Sequence, residues 1–274
     1  MSGISYWHYE ISAPDGVINA RGGDYLALNK AIAYKGKIGQ MRAEFSQDYI
    51  ARKQVVFQEI EKDLTDQTVA RGEKITCHKG CFYCCSQYIS GTLQEAEPIV
   101  YYLYHHEAEL ANFIRAYPAW REKIRGIDSL LSSIEDIYNK LSAEGPTEKN
   151  LQDYHDITMR YLAQNIPCPF LNDGSCSIYE VRPWCCASVA ATTPGEWCSP
   201  STGDKPTVYT SYLRPKETPF FRNTEDLNIV PIPLSVYEIL KGGFTWLSAV
   251  PGLEGLENEV VNDPEVRPIL QRYM

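Results

Sequence analysis

Four cysteines lie within nine residues of this chain, and their side chains are its strongest indication of chemistry. They stand at positions 77, 81, 84 and 85, in the segment Cys77-His78-Lys79-Gly80-Cys81-Phe82-Tyr83-Cys84-Cys85. Cysteine thiolates bind zinc at about 2.3 Å and also hold iron–sulfur clusters. The segment therefore predicts a metal site, and its spacing does not distinguish zinc from iron.

These four thiols need partners from elsewhere in the chain. On an α-helix their offsets would fall within an arc of about 100°, so all four could face one way. Adjacent Cys84 and Cys85 would then point about 100° apart, so that one of them serves a second metal, bridges two metals or takes no part. The predicted partners are the cysteines of the C-terminal half, namely Cys168, Cys176, Cys186 and Cys198.

Two local patterns favour this pairing of distant segments. Residues 172–175 (Asn-Asp-Gly-Ser) are typical of a turn, which would bring Cys168 and Cys176 close together. Pro183 predicts the start of a helix that presents Cys185 or Cys186 on the same side. Eight thiolates would then close two four-sulfur sites or one polynuclear centre.

Thiolate charge has to be offset where it is buried. Leaving an ion uncompensated inside a protein costs several kcal/mol. We therefore expect the metal, backbone N–H groups and the nearby cations Lys79 or Arg182 to balance the sulfurs.

Disulfides and core packing are the alternatives to metal binding. The chain has nine cysteines, an odd number, and the adjacent pairs Cys84-Cys85 and Cys185-Cys186 would be strained if each were bridged to itself. Thiols also stay reduced in the cytoplasm, where we expect this protein. Free cysteine can pack as a small hydrophobic residue, but four in nine positions favour a metal.

Taken together, the two halves resemble the YkgJ-type cysteine-cluster family. The pattern covers about residues 74–198 and consists of Cys77-x3-Cys81-x2-Cys84-Cys85, Cys168-Pro169-Phe170-Leu171, Cys176-Ser177-Ile178-Tyr179 and Arg182-Pro183-x-x-Cys186. That family is described as zinc- or iron-chelating and includes relatives of flagellin lysine N-methylase. The resemblance implies a cysteine-ligated zinc or iron centre. It implies, as the alternative, an iron–sulfur enzyme of the lysine N-methylase type that uses S-adenosylmethionine.

The sequence departs from that family in two respects, at Ala187 and at Cys198. Ala187 stands where the family usually has an arginine after the last motif cysteine. Cys185 occupies a variable position, which makes Cys186 the better ligand candidate. Cys198 lies further downstream than the usual closing cysteine.

Charge and hydropathy argue against two classes of partner. The formal net charge of −9 is opposite to the basic surface that a general nucleic-acid binder needs. No stretch approaches the ~20 apolar residues of a membrane span, and the N-terminus lacks the charged start and apolar run of a secretory signal. We expect a cytoplasmic protein with a protein or small-molecule partner, and neither nucleic acid nor membrane.

Apolar residues that recur at three and four positions predict a mainly α-helical fold, stapled by the metal centre. Helices are expected over about 46–70, 93–116, 120–141, 147–164 and 233–241, with Ser46 and Thr147 as N-caps. A few short strands are expected near the termini, over 4–11, 208–213 and 227–232. The chain is predicted to form one domain of 1–274, in which 1–45 and 199–274 pack on the metal-binding region 74–198.

Other residues have weaker claims to chemistry. His78 could replace a thiol, although we expect it to face solvent or to lie behind a ligand. The carboxylate pairs Glu95/Glu97 and Glu107/Glu109 are expected on solvated helix faces. The sequence contains no Gly-x-Ser-x-Gly, His-Glu-x-x-His or phosphate-loop motif.

Overall fold

A computed structural model describes residues 25–145, 147–203, 205–211 and 230–273. These residues form two compact units. The smaller unit consists of residues 25–43 and 238–273, and the larger unit consists of the described residues between 44 and 237. The prediction that the chain forms a single domain stays a prediction. The strand expected over 4–11 lies outside the described residues.

The predicted mainly helical character is confirmed. In chain order the helices are α1 Tyr25–Ile32, α2 Gly36–Val69, α3 Leu93–His105, α4 Glu107–Arg125, α5 Asp128–Glu144, α6 Glu148–Leu162, α7 Trp184–Ala187, α8 Ile232–Gly242, α9 Glu257–Asn262 and α10 Arg267–Tyr273. Short 3-10 helices cover Tyr179–Val181, Gly195–Cys198 and Gly243–Ala249. The strands are β1 Ser90–Gly91, β2 Leu171–Asn172, β3 Ser175–Cys176, β4 Val189–Ala191, β5 Val208–Thr210 and β6 Val230–Pro231.

In the smaller unit, polar side chains bind the backbone at the ends of helices that are distant from them in sequence. Asn29 donates through Nδ2 to the carbonyl oxygens of Leu240 and Lys241, at 2.9 and 2.6 Å, where α8 ends. Asp263 accepts from the Lys37 N–H at 3.1 Å at the start of α2. This cap comes from more than two hundred residues away, which explains why the predicted helix start at Ser46 is wrong.

In the larger unit, two predicted long helices are interrupted. The expected helix 93–116 is broken at His106, whose backbone leaves the helical region (φ −130°, ψ 80°), so that α3 and α4 are separate. The expected helix 120–141 begins inside α4, and α5 starts only at Asp128. The predicted N-cap Thr147 is confirmed, because its side chain accepts from the Asn150 N–H at 3.1 Å.

Helices α3 to α6 supply about half of the buried apolar residues of the larger unit. Fully buried side chains include Ile99, Leu103, Phe113, Ile124, Leu131 and Ile134. The ring of Phe113 stacks on Phe170, which precedes β2, with centroids 4.5 Å apart and an interplanar angle of 10°. This stack anchors the second cysteine-containing segment on the helical core.

Within the described residues, three two-stranded sheets form, and all are antiparallel. β1 pairs with β6, β2 with β3 and β4 with β5. The strands at 208–210 and 230–231 agree with the prediction, whereas β1 to β4 lie in the middle of the chain rather than near its termini. None of the helices in the described ranges combines the length and apolar character needed to cross a bilayer.

The prediction of solvated carboxylates on α3 is wrong. Glu95 is 3% exposed and Glu97 is fully buried. Glu95 can be buried because Lys53 of α2 pairs with it at 2.8 Å. Residues with strong helix propensity in the first turn of α3 suggested a solvent face, and only the tertiary structure shows that this face packs inward.

Candidate metal centre

The first cysteine-containing segment forms consecutive turns and not a helix. The Cys81 N–H donates to the His78 carbonyl oxygen at 3.0 Å, and the Cys85 N–H donates to that of Phe82 at 2.9 Å. Gly80 between them has φ +93°, which a continuing α-helix does not permit. The prediction that four thiols share one helical face is therefore wrong, because the chain changes direction within the segment.

The second segment contains the predicted turn, which is confirmed. β2 and β3 pair Leu171 with Cys176, and the two central residues, Asp173 and Gly174, have φ of +47° and +74°. Two successive positive φ angles are typical of the tight turns that join two-stranded hairpins. The hairpin returns the chain from Cys168 to the neighbourhood of Cys176 within eight positions.

Backbone hydrogen bonds join the two segments. The Cys168 N–H donates to the Cys85 carbonyl oxygen at 2.7 Å. The Thr76 N–H donates to the Ala191 carbonyl oxygen at 2.9 Å, beside Cys77. Two peptide contacts thus bring the cysteines of both halves of the chain into one region.

Cys185 and Cys186 lie in the short helix α7. Pro183 stands just before its first residue, and the Cys186 N–H donates to the Pro183 carbonyl oxygen at 3.0 Å. The helix is only four residues long and is followed by β4. The two sulfurs are 3.9 Å apart.

Cys198 ends the 3-10 helix Gly195–Cys198, near the first segment. A Cβ atom at Gly195 would lie 3.4 Å from the Cys81 sulfur and 3.1 Å from the Tyr83 ring. The glycine therefore permits a close approach of this turn to the first cysteine segment. Cys198 interacts electrostatically with Cys77, Cys81 and Cys84.

Backbone N–H groups are directed at several of the sulfurs. The Ala191 N–H donates to Cys77 at 3.1 Å. The backbone N–H groups of Tyr83, Phe170 and Ile178, each two residues after a cysteine, lower the pKa of Cys81, Cys168 and Cys176. Such bonds favour the thiolate over the thiol and tune sulfur ligands in metal sites.

Burial acts in the opposite direction on most of these thiols. It raises the pKa of Cys81, Cys168 and Cys176, and it raises the pKa of Cys198 to about 11. The hydrogen bond from Cys85 lowers the pKa of Cys84 to about 7, and the same bond raises the pKa of Cys85. A hydrogen bond with Cys185 raises the pKa of Cys186. A bound cation would have to displace protons from most of the sulfurs.

Cys84 is the thiol that the two halves of the cluster share. It interacts electrostatically with both the first-segment cysteine Cys81 and the distant Cys198. It interacts in the same way with Cys85, Cys168, Cys176 and Cys186. All nine cysteines are free thiols, so none is constrained by a disulfide.

The donor set fits zinc or iron by its chemistry, since both metals accept thiolate ligands. In the ranges that the structure describes, no three His, Cys, Asp or Glu side chains stand close enough together to hold a metal ion. Ligation would therefore require the sulfurs to turn toward a common point. The only torsion that moves a cysteine sulfur relative to the backbone is the one about the Cα–Cβ bond.

The two cations near the cluster differ in their partners. Arg182 favours the thiolate of Cys176, whereas Lys79 pairs with Glu180 at 2.6 Å. His78 directs Nδ1 to the Lys79 carbonyl oxygen at 2.9 Å and is exposed. Sequence reasoning did not find Glu109, which lies near Cys176 and disfavours its thiolate.

An open polar cleft of about 210 Å³ lies beside Cys176. Its lining includes Lys79, Tyr102, Glu109 and Tyr179 in addition to the hairpin. Space for a small molecule therefore adjoins the cysteine cluster on the side of β3.

Comparison with known proteins gives one match. Residues 76–205 match the model of the family described as "CxxCxxCC: Putative zinc- or iron-chelating domain". No curated protein and no solved structure matches the chain significantly. The match confirms the resemblance to a zinc- or iron-chelating cysteine-cluster family, and it does not extend to the YkgJ name or to flagellin lysine N-methylase.

Proposed function

We propose, from the match of residues 76–205 to a zinc- or iron-chelating domain, that this region binds zinc or iron through cysteine thiolates. The two cysteine-containing segments would supply the ligands. The proposed ligands are Cys77, Cys81, Cys84, Cys85, Cys168, Cys176, Cys186 and Cys198.

One observation supports this proposal most directly: the backbone N–H groups directed at sulfurs. Ala191 and Tyr83 donate to Cys77 and Cys81 in the first segment. The hairpin sulfurs of Cys168 and Cys176 receive equivalent bonds. A thiol packed only as a small hydrophobic residue has no use for such donors, whereas a ligating thiolate is stabilised by them.

The position of Cys84 supports a centre with more than one metal ion. It interacts electrostatically with Cys81 and Cys198, which also interact with Cys77, and separately with Cys85, Cys168, Cys176 and Cys186. Four thiolates complete a tetrahedral zinc site, so eight exceed the need of a single ion. Two ions that share Cys84, or one iron–sulfur cluster, would use these groups.

Metal and acid-labile sulfide analysis of protein purified without oxygen tests the proposal. Iron with sulfide would identify a cluster, whereas zinc without sulfide would identify a mononuclear or binuclear thiolate site. Protein that folds stably with neither metal refutes the proposal.

A matched pair of variants tests the ligand assignment. Cys186→Ser should lower the metal content, while Cys185→Ser, one residue away and of the same chemistry, should leave it unchanged. Equal metal content in both variants would contradict the choice of Cys186.

The cleft beside Cys176 supports a second candidate, a small-molecule site next to the metal centre. An enzyme would need one open or exchangeable coordination position and such a neighbouring space. The more specific idea of an S-adenosylmethionine-dependent lysine N-methylase stays a prediction from the resemblance. So do the cytoplasmic location, the unidentified partner and the absence of nucleic-acid and membrane binding.

A further inference from the structure

A buried carboxylate reaches from the helical core to the start of α7. Glu95 Oε1 accepts from Lys53 Nζ at 2.8 Å and from the Trp184 backbone N–H at 2.7 Å. The side chains of Lys53 and Glu95 are 3% and 4% exposed. One oxygen atom thus connects helix α2, helix α3 and the residue immediately before Cys185.

Aromatic rings surround the Lys53 ammonium. It lies 5.7 Å from the ring centroid of Tyr49 and 5.5 Å from those of Phe57 and Trp184. A buried ion pair is seldom more stabilising than apolar residues of the same volume. Its retention here therefore calls for a role in geometry in addition to any role in stability.

The backbone group that Glu95 binds has no partner inside its own helix. The first N–H groups of a helix lack an acceptor one turn earlier, and Trp184 is the first residue of α7. Glu95 supplies that acceptor. The peptide that precedes Cys185 is consequently held by a side chain that the surrounding core fixes in place.

The other oxygen of Glu95 is confined as well. An ideal Cβ atom at Gly91 in β1 would lie 2.5 Å from Glu95 Oε2. The backbone of β1 therefore passes close to the carboxylate and limits its movement. Both oxygens are restrained, as expected for a group that sets the direction of its neighbour.

We propose that Glu95 is a positioning residue of the metal centre, which fixes the first turn of α7 so that Cys186 can turn toward the other thiols. This role rests on the proposed function. It requires the hydrogen bond to Trp184, whereas the charge of Glu95 serves only to balance Lys53.

Two double variants of the full chain separate the hydrogen bond from the charge. Lys53→Met/Glu95→Gln removes both charges and keeps a side-chain carbonyl that can accept from Trp184. Lys53→Met/Glu95→Met removes the same charges and the acceptor, at similar side-chain volume. Zn²⁺ affinity is measured by competition with a chromogenic chelator, and protection of each cysteine from iodoacetamide is mapped by mass spectrometry.

The variant without the acceptor should bind Zn²⁺ about 10–100-fold more weakly than its glutamine counterpart, the usual effect of losing a group that orients a metal ligand. In its zinc-loaded form Cys186 should be alkylated while Cys77 stays protected. Equal affinity and equal protection of Cys186 in the two variants would overturn the positioning role and leave the proposed function intact. A wild-type chain that binds no metal would refute both.

A single substitution covers the case in which the methionine variant does not fold. Glu95→Asp keeps the charge opposite Lys53 but shortens the side chain by one methylene, which withdraws the carboxylate from Trp184. It should show the same loss of Zn²⁺ affinity. Wild-type affinity in Glu95→Asp would overturn the positioning role.

Discussion

Replacement of Phe170 by alanine should destabilise the larger unit through the attachment of the cysteine hairpin. Phe170 is 1% exposed, and its ring stacks on Phe113. Truncation of a buried phenylalanine costs about 3–5 kcal/mol, of which the lost aromatic pair accounts for about 0.5–1.5 kcal/mol. Against a typical free energy of unfolding of about 5–15 kcal/mol, this change removes a large share of the stability.

Urea denaturation followed by tryptophan fluorescence measures this loss in protein as purified. Phe170→Leu is the matched control, because it keeps most of the apolar volume and should cost about 1–2 kcal/mol. The backbone N–H of residue 170 still donates to the Cys168 sulfur in both variants, so the metal content of folded protein should not change. A loss below about 1 kcal/mol for Phe170→Ala, or equal losses for both variants, would refute the anchoring role of the ring.

Three further predictions concern polar contacts. Lys53→Met should lower the free energy of unfolding by about 3–5 kcal/mol in urea titrations, because it leaves the Glu95 carboxylate buried without a cation. Adding Glu95→Gln should restore most of that loss. A double variant as unstable as Lys53→Met alone would contradict this prediction. Thr147→Ala should lower the free energy of unfolding by about 1 kcal/mol, because α6 loses its N-cap, and a lower urea midpoint measures this. An unchanged midpoint would show that water accepts the Asn150 N–H equally well. Lys79→Ala should leave the midpoint of thermal unfolding almost unchanged, because its ion pair with Glu180 is exposed to solvent, and a clear, salt-dependent fall of that midpoint would contradict this.

The sequence predicts the parts of the candidate site whose geometry is local. Asp173 and Gly174 specify the hairpin by themselves, since they tolerate positive φ angles. Thr147 specifies a helix start in the same way. In both cases the responsible atoms lie within four residues of the feature.

Features that depend on distant residues could not be read from the sequence. The start of α2 is set by Asp263, and the burial of Glu95 is set by Lys53. The helical interpretation of the first cysteine segment failed because offsets of four, three and one also fit a chain of turns around Gly80. Spacing along the chain counts residues, whereas the direction of each sulfur depends on backbone angles that spacing does not determine.

The hydrogen bond from the Cys168 N–H to the Cys85 carbonyl oxygen also bears on the order of events during folding. It closes a loop of about eighty residues, and such closures are slow relative to the formation of individual helices. Helices α3 to α6 fill that loop and can form from local contacts, so the two cysteine segments should meet late. The docking of the two segments, and not diffusion of the ion to the protein, would then limit the rate at which the nascent chain takes up a metal ion.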